Sequence, residues 1–113
     1  MSEQPDSIPS VIVNYQTAHD RHDVEASLAS FSNDAVVHDE NEAWVGTDRI
    51  RQWLTKTSSE YTYTRTLLGA ERTGSASWLI RNRLEGNFPG NVVDLRYEFT
   101  LKGDHILALK IAP

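Results

Sequence analysis

The chain is 113 residues long, 39% hydrophobic and 24% charged, with sixteen acidic residues against eleven basic ones and a formal charge of -5. That length supports one hydrophobic core and is short for two ordinary domains. The acidic balance, with no Lys/Arg run, argues against duplex nucleic acid or an anionic membrane surface as a partner, and the absence of cysteine removes disulfides, thiolate nucleophiles and thiolate metal ligands.

The opening MSEQPDSIPS is polar and acidic and lacks the basic start and apolar stretch of a signal peptide. No apolar run is long enough to span a bilayer, so the sequence reads as that of a cytoplasmic protein, one domain over residues 1–113 with residues 1–7 disordered. From Ser10 the spacing becomes helical. Val11, Tyr15, Ala18 and His19 recur at three and four residues, with Ser7 or Ser10 as the cap, Pro9 in the first turn and an end near His19. Asp20-Arg21-His22-Asp23 interrupts the pattern. Asp23 can then cap a short second helix in which Val24, Leu28 and Phe31 share one side, ending near Ser32.

Ala35-Val36-Val37-His38-Asp39 opens with β-formers, and a period of two sets Val37 and Asp39 on one face and Val36 and His38 on the other. An apolar face therefore ends in a carboxylate. Facing a cavity, Asp39 would be a desolvated acid and a usable base; as part of Asp-Glu-Asn-Glu it would be a solvated turn residue. Ala43-Trp44-Val45 follows as a second short strand. Gly46-Thr47-Asp48 then supplies a turn and N-cap for a third helix from Arg49 to Thr57, whose buried stripe is Ile50, Trp53 and Leu54.

Beyond Ser59 the period changes to two. Residues 61–68, 75–84, 92–101 and 105–112 are four strands, separated by Arg72-Thr-Gly-Ser, Asn87-Phe-Pro-Gly-Asn and Lys102-Gly-Asp. Three helices before an antiparallel meander make an α+β domain, with the helices packed on a curved, mainly antiparallel sheet. Trp78, Ile80, Asn82 and Leu84 share one face, as do Val93, Leu95, Tyr97, Phe99 and Leu101. The opposite face is charged. The concave side is thus expected to hold Trp53, Trp78, Asn82, Tyr97 and Phe99 as ligand-binding residues.

The order of these elements, with HDRHDVEASLASFSNDAVVHDE over residues 19–40 and WVGTDRIRQWL over residues 44–54, resembles the nuclear transport factor two-like superfamily, especially its SnoaL-like polyketide-cyclase and ketosteroid-isomerase branch. The resemblance covers nearly the whole chain and rests on the order of motifs that are individually short. It implies a cone-like half barrel wrapped around a long helix, an apolar pocket, and a homodimer formed through the outer sheet face. It also implies proton transfer without a cofactor, on an apolar carbonyl-bearing small molecule, by an isomerase, cyclase or dehydratase-like enzyme. Asp39 is similar in place to the branch's general base and Tyr15 to its oxyanion donor. The branch's second donor, a protonated acid near the end of the sheet, has no match here; Tyr97 falls at or near that place.

Other constellations carry less. His38 and Asp39, as neighbours on a strand, face opposite ways and do not form a dyad. His19 and His22 with Asp20 and Asp23 lack a third placed ligand, so no metal is expected there. The competing functional reading is a non-catalytic module of the same fold that binds a small ligand or a protein.

Overall fold

The structure is a computed structural model and describes residues 8–113; the expectation of disorder over residues 1–7 lies outside them. Its elements in chain order are α1 (Ser10–Asp20), α2 (Val24–Leu28), β1 (Phe31–Asp39), β2 (Glu42–Val45), α3 (Thr47–Glu60), β3 (Tyr63–Gly74), β4 (Ser77–Gly86), β5 (Val92–Lys102) and β6 (His105–Ala112). The six strands form one sheet in the order β2-β1-β6-β5-β4-β3. Every neighbouring pair is antiparallel except β1 and β6, which run parallel. The sheet curves without closing, and the helices pack on its concave side, giving the α+β half barrel expected.

The core lies between that concave face and the buried stripes of the helices. Ile12 and Tyr15 of α1 and Ile50, Trp53 and Leu54 of α3 meet Val37, Ile80, Phe99, Ile106 and Leu109 from four strands, all essentially without solvent contact. Strand alternation holds across β4, where Trp78, Ile80, Asn82 and Leu84 are buried and Arg81, Arg83 and Glu85 exposed. The outer face carries exposed ion pairs such as Arg83–Asp94 (2.8 Å) and Arg81–Glu71 (3.5 Å). Among the described residues no helix is long and apolar enough to cross a membrane.

Asp23 caps α2 as expected, its Oδ1 accepting from the Ala26 amide at 3.1 Å. Four local expectations need correction. Helix α2 stops at Leu28, and Phe31 and Ser32 belong to β1, because Phe31 pairs with Ile106 of β6 and packs edge-on against Tyr15. That tertiary pairing outweighs the helical spacing of Val24, Leu28 and Phe31. Ser10 is the first residue of α1, not its cap; the cap position is Pro9, which offers no side-chain bond. Helix α3 starts at Thr47 behind Gly46, whose φ of 87° suits glycine and which anchors the turn by donating to the Ala35 carbonyl at 2.9 Å, and it runs on to Glu60 rather than stopping at Thr57. Strand β3 continues through Arg72 to Gly74, moving the hairpin turn to Ser75-Ala76. The Arg72 guanidinium fastens that later turn by donating to the Gly74 and Ser75 carbonyls.

Candidate functional site

A cavity of about 540 Å³ opens between α1, α3 and the sheet, within the range of small-molecule sites. Six aromatic rings line it: Tyr15, Trp53, Tyr61, Tyr63, Phe88 and Tyr97. Leu84, Val93, Leu95 and Ile111 supply aliphatic wall, and Asp39, Glu40, His19 and Thr57 are among its polar members.

Asp39 reaches the cavity because it ends β1 in register with Glu42, with a two-residue turn at Glu40-Asn41. Both turn residues take positive φ, 52° and 66°, the conformation a tight hairpin turn requires. The acidic cluster therefore divides between the two readings of the sequence: Glu40 and Asn41 are the turn, and Asp39 is the last strand residue, on the face of Val37. Its Oδ2 accepts from the Trp53 indole N–H at 3.0 Å. Burial raises the Asp39 carboxyl above its ordinary range, and the Trp53 bond opposes that shift. One oxygen is thus held by a neutral donor, and no positive side chain bonds the carboxylate, among the described residues.

Tyr15 comes from the buried face of α1 and is 2% exposed. Burial first, and then the neighbouring Tyr97 and Tyr63 phenols, push its hydroxyl well above the ordinary tyrosine value. Tyr97 of β5 is raised for the same leading reason. Each also feels the Asp39 charge, and neither hydroxyl has a hydrogen-bond partner among the described residues. These two phenols stay protonated at physiological pH and are free to donate into the cavity.

His19 stands one helical turn beyond Tyr15 and on the same face. Its ring is near those of Trp53 and Tyr63, with centres 6.2 and 6.4 Å away and planes inclined by 28° to each. Its Nδ1 lies 2.8 Å from the Tyr63 hydroxyl and its Nε2 lies 3.2 Å from Thr57 Oγ1. Burial lowers the imidazole to about 4, the nearby Asp20 opposing, so the ring is neutral at pH 7. Tyr63 is pushed up to about 12, again by burial. Gly86 lets Tyr63 take this place, since it pairs with Tyr63 across the ladder and a Cβ there would run into the Thr62 carbonyl and the Tyr63 backbone.

Of the seven residues singled out from the sequence, the cavity brings together Asp39, Tyr15, Trp53 and Tyr97. Phe99 is buried in the core against Tyr15 and Tyr97. Trp78 lies at a separate hollow beside Pro9, Arg72 and Leu101. Asn82 is fully buried in a polar cluster around Arg65 of β3. There the guanidinium grips Asp20 through Nη2 at 2.8 Å and Nε at 3.1 Å, and Nη1 reaches Gln16 Oε1 and Asn82 Oδ1 at 3.4 Å each. The sequence reading did not place His19, Tyr63 or Thr57 in the site. The signals present were the i, i+4 relation of Tyr15 to His19 and the alternation of Tyr61, Tyr63 and Arg65 against threonines. His22, the other half of the His-x-x-His spacing, is exposed, and no group of three or more His, Asp or Glu side chains that could hold a metal occurs among the described residues.

No protein-family model and no curated protein matches the chain. Solved structures do. A candidate polyketide cyclase from Sinorhizobium meliloti is 31% identical with a TM-score of 0.86, the match covering 93% of this chain and 95% of that one. A protein of ketosteroid isomerase-like fold from Catenulispora acidiphila, in complex with trimethylamine, is 17% identical with a TM-score of 0.83 over 95% and 87% of the two chains. A Mycobacterium tuberculosis protein in complex with estradiol-17beta-hemisuccinate is 14% identical with a TM-score of 0.76 over 92% and 91%.

Proposed function

The chain belongs to the nuclear transport factor two-like superfamily, in its SnoaL-like branch of polyketide-cyclase and ketosteroid-isomerase type, and from that premise we propose that it is an enzyme moving a proton on an apolar, carbonyl-bearing small molecule. Asp39 is the general base and Tyr15 the donor to the oxygen that becomes negative. The observation that carries this reading is the pairing of a half-buried carboxylate, bonded by the Trp53 indole N–H, with phenols that stay protonated in the same cavity. Burial makes Asp39 a better proton acceptor than a surface aspartate. Abstraction from the carbon beside a carbonyl sends charge to the carbonyl oxygen, where the free hydroxyls of Tyr15 and Tyr97 can donate without reorganising. Tyr97 takes the part that a protonated acid would otherwise play. Aromatic and aliphatic walls favour an apolar substrate body. The trimethylamine and estradiol hemisuccinate complexes of two neighbours support a pocket that takes small molecules. The protein works as a cytoplasmic homodimer joined through the outer sheet face.

A non-catalytic binding module is the second reading, favoured by the absence, among the described residues, of a second acid beside Tyr97. The test is a thermal-shift screen of hydrophobic ketones and aromatic polyketide-like compounds, followed by binding and turnover measurements on wild type, Asp39→Asn and Tyr15→Phe. Turnover that depends on Asp39 supports the enzyme. Binding without turnover, indifferent to both substitutions, supports the module.

A further inference from the structure

The hydrogen bonds around His19 carry a direction, and the direction bears on the ligand. Thr57 Oγ1 lies 3.3 Å from the Leu54 carbonyl oxygen, which can only accept, so the threonine proton points there. With its proton on that carbonyl, where threonines in helices commonly place it, Thr57 Oγ1 accepts from His19 Nε2, 3.2 Å away. A neutral imidazole protonated at Nε2 is bare at Nδ1, so Nδ1 accepts from the Tyr63 hydroxyl at 2.8 Å. General acidity points the same way, because a phenol is the stronger donor and an imidazole nitrogen the stronger acceptor of that pair. Tyr63 therefore spends its proton on His19 and keeps lone pairs for the cavity, where no other described group donates to it. Tyr15 and Tyr97 are the reverse: their hydroxyl protons have no partner among the described residues.

We propose that the cavity is built for a hydroxy-carbonyl compound, a ligand whose carbonyl oxygen accepts from Tyr15 and Tyr97 while a hydroxyl elsewhere on the same molecule donates to Tyr63. This deepens the carbonyl reading above and rests on it. Contacts at both nitrogens fix the acceptor end, since His19 is engaged by Thr57 at Nε2 and by Tyr63 at Nδ1, with the Trp53 ring beside it. A ligand with a carbonyl alone leaves the Tyr63 oxygen facing an apolar group, and one with an ether in place of the hydroxyl sets two acceptors against each other.

Two measurements test this. In the first, nitrogen-15 NMR of the imidazoles at pH 7, with His19 assigned by its loss in His19→Gln, is expected to show Nε2 protonated and Nδ1 bare. The opposite tautomer, or an imidazolium, overturns the proposal. In the second, calorimetry compares 2-acetylnaphthalene with its 6- and 7-hydroxy and 6- and 7-methoxy derivatives. At least one hydroxy compound is expected to bind about tenfold tighter than the parent, with no gain for its methoxy counterpart. The ratio of hydroxy to parent affinity, measured within the same protein, should fall to about one in Tyr63→Phe. A methoxy gain equal to the hydroxy gain, no gain from either hydroxyl, or a gain that survives Tyr63→Phe each overturns it. Failure of every ketone to bind sinks the carbonyl reading and this proposal with it, whereas equal binding of all five sinks only the hydroxyl requirement.

Discussion

Acid should destabilise this protein through His19 before most of its carboxylates are protonated. The imidazole falls from its ordinary 6.5 to about 4 in the folded state because burial penalises the charged ring. The unfolded chain therefore binds a proton between those values that the folded chain does not. Stability is complete above the unfolded value and is lost as pH falls from 6.5 towards 4. A shift of that size corresponds to about 3 kcal/mol in total, of which roughly 2–2.5 kcal/mol is gone by pH 4.5. Urea unfolding of wild type and His19→Gln at pH 7.5 and 4.5 isolates the effect. Glutamine can donate to Thr57 and accept from Tyr63 but does not titrate, and contributions from Asp39, Asp34 and Asp94 cancel in the comparison. The wild type should lose about 2 kcal/mol more than the variant over that interval. Equal losses, or an NMR titration that places His19 near 6.5, would refute the reasoning.

Asp39→Asn should lower turnover by a factor of a hundred to ten thousand or so, measured on any ketone found to react, while circular dichroism shows the fold intact. Its stability should stay level or rise slightly, since the folded state raises the Asp39 carboxyl and so disfavours its ionised form at neutral pH, and the amide oxygen still accepts from Trp53. Tyr15→Phe should cost on the order of a hundredfold in kcat, less than the loss of the base, because Tyr97 remains as a donor. Arg65→Met should lower stability by about 1–3 kcal/mol in urea unfolding, as it leaves the buried side-chain oxygens of Gln16 and Asn82 without their donor and removes the ion pair with the exposed Asp20. Light scattering should report a homodimer, and a monomer at high micromolar concentration would count against the outer sheet face as an interface.

Alternation and helical spacing made much of the fold legible before any coordinates. The parity of β4 and β5 put Ile80, Tyr97 and Phe99 on the concave face, and the parity of Ala35 to Asp39 put the carboxylate with Val37. What periodicity does not encode is depth along a face. Trp78, Asn82 and Phe99 have the right parity for the cavity, yet lie at a separate hollow, in a polar cluster and in the core, because parity does not say which rung of the ladder meets the opening. Phe31 was lost to a helix because its strand partner, Ile106, is remote in sequence. His19 was readable as a helix residue and as half of a His-x-x-His spacing but not as part of the cavity, since its partners come from α3 and β3.

The parallel pairing of β1 with β6 has a consequence for how the molecule is assembled. β3 to β6 are joined by short hairpins and can zip up from local contacts, whereas β1 has only the four residues of β2 as a near neighbour. Its other edge is closed by Val36, Val37 and His38 against Ala108, Leu109 and Lys110, about seventy positions later. Loops of that length slow folding more than they weaken the final state. The strand that presents Asp39 is thus docked by β6, which is made only after β3 to β5, and a chain shortened before His105 would keep the hairpins of β3 to β5 but lose the seam that holds the carboxylate in the cavity wall.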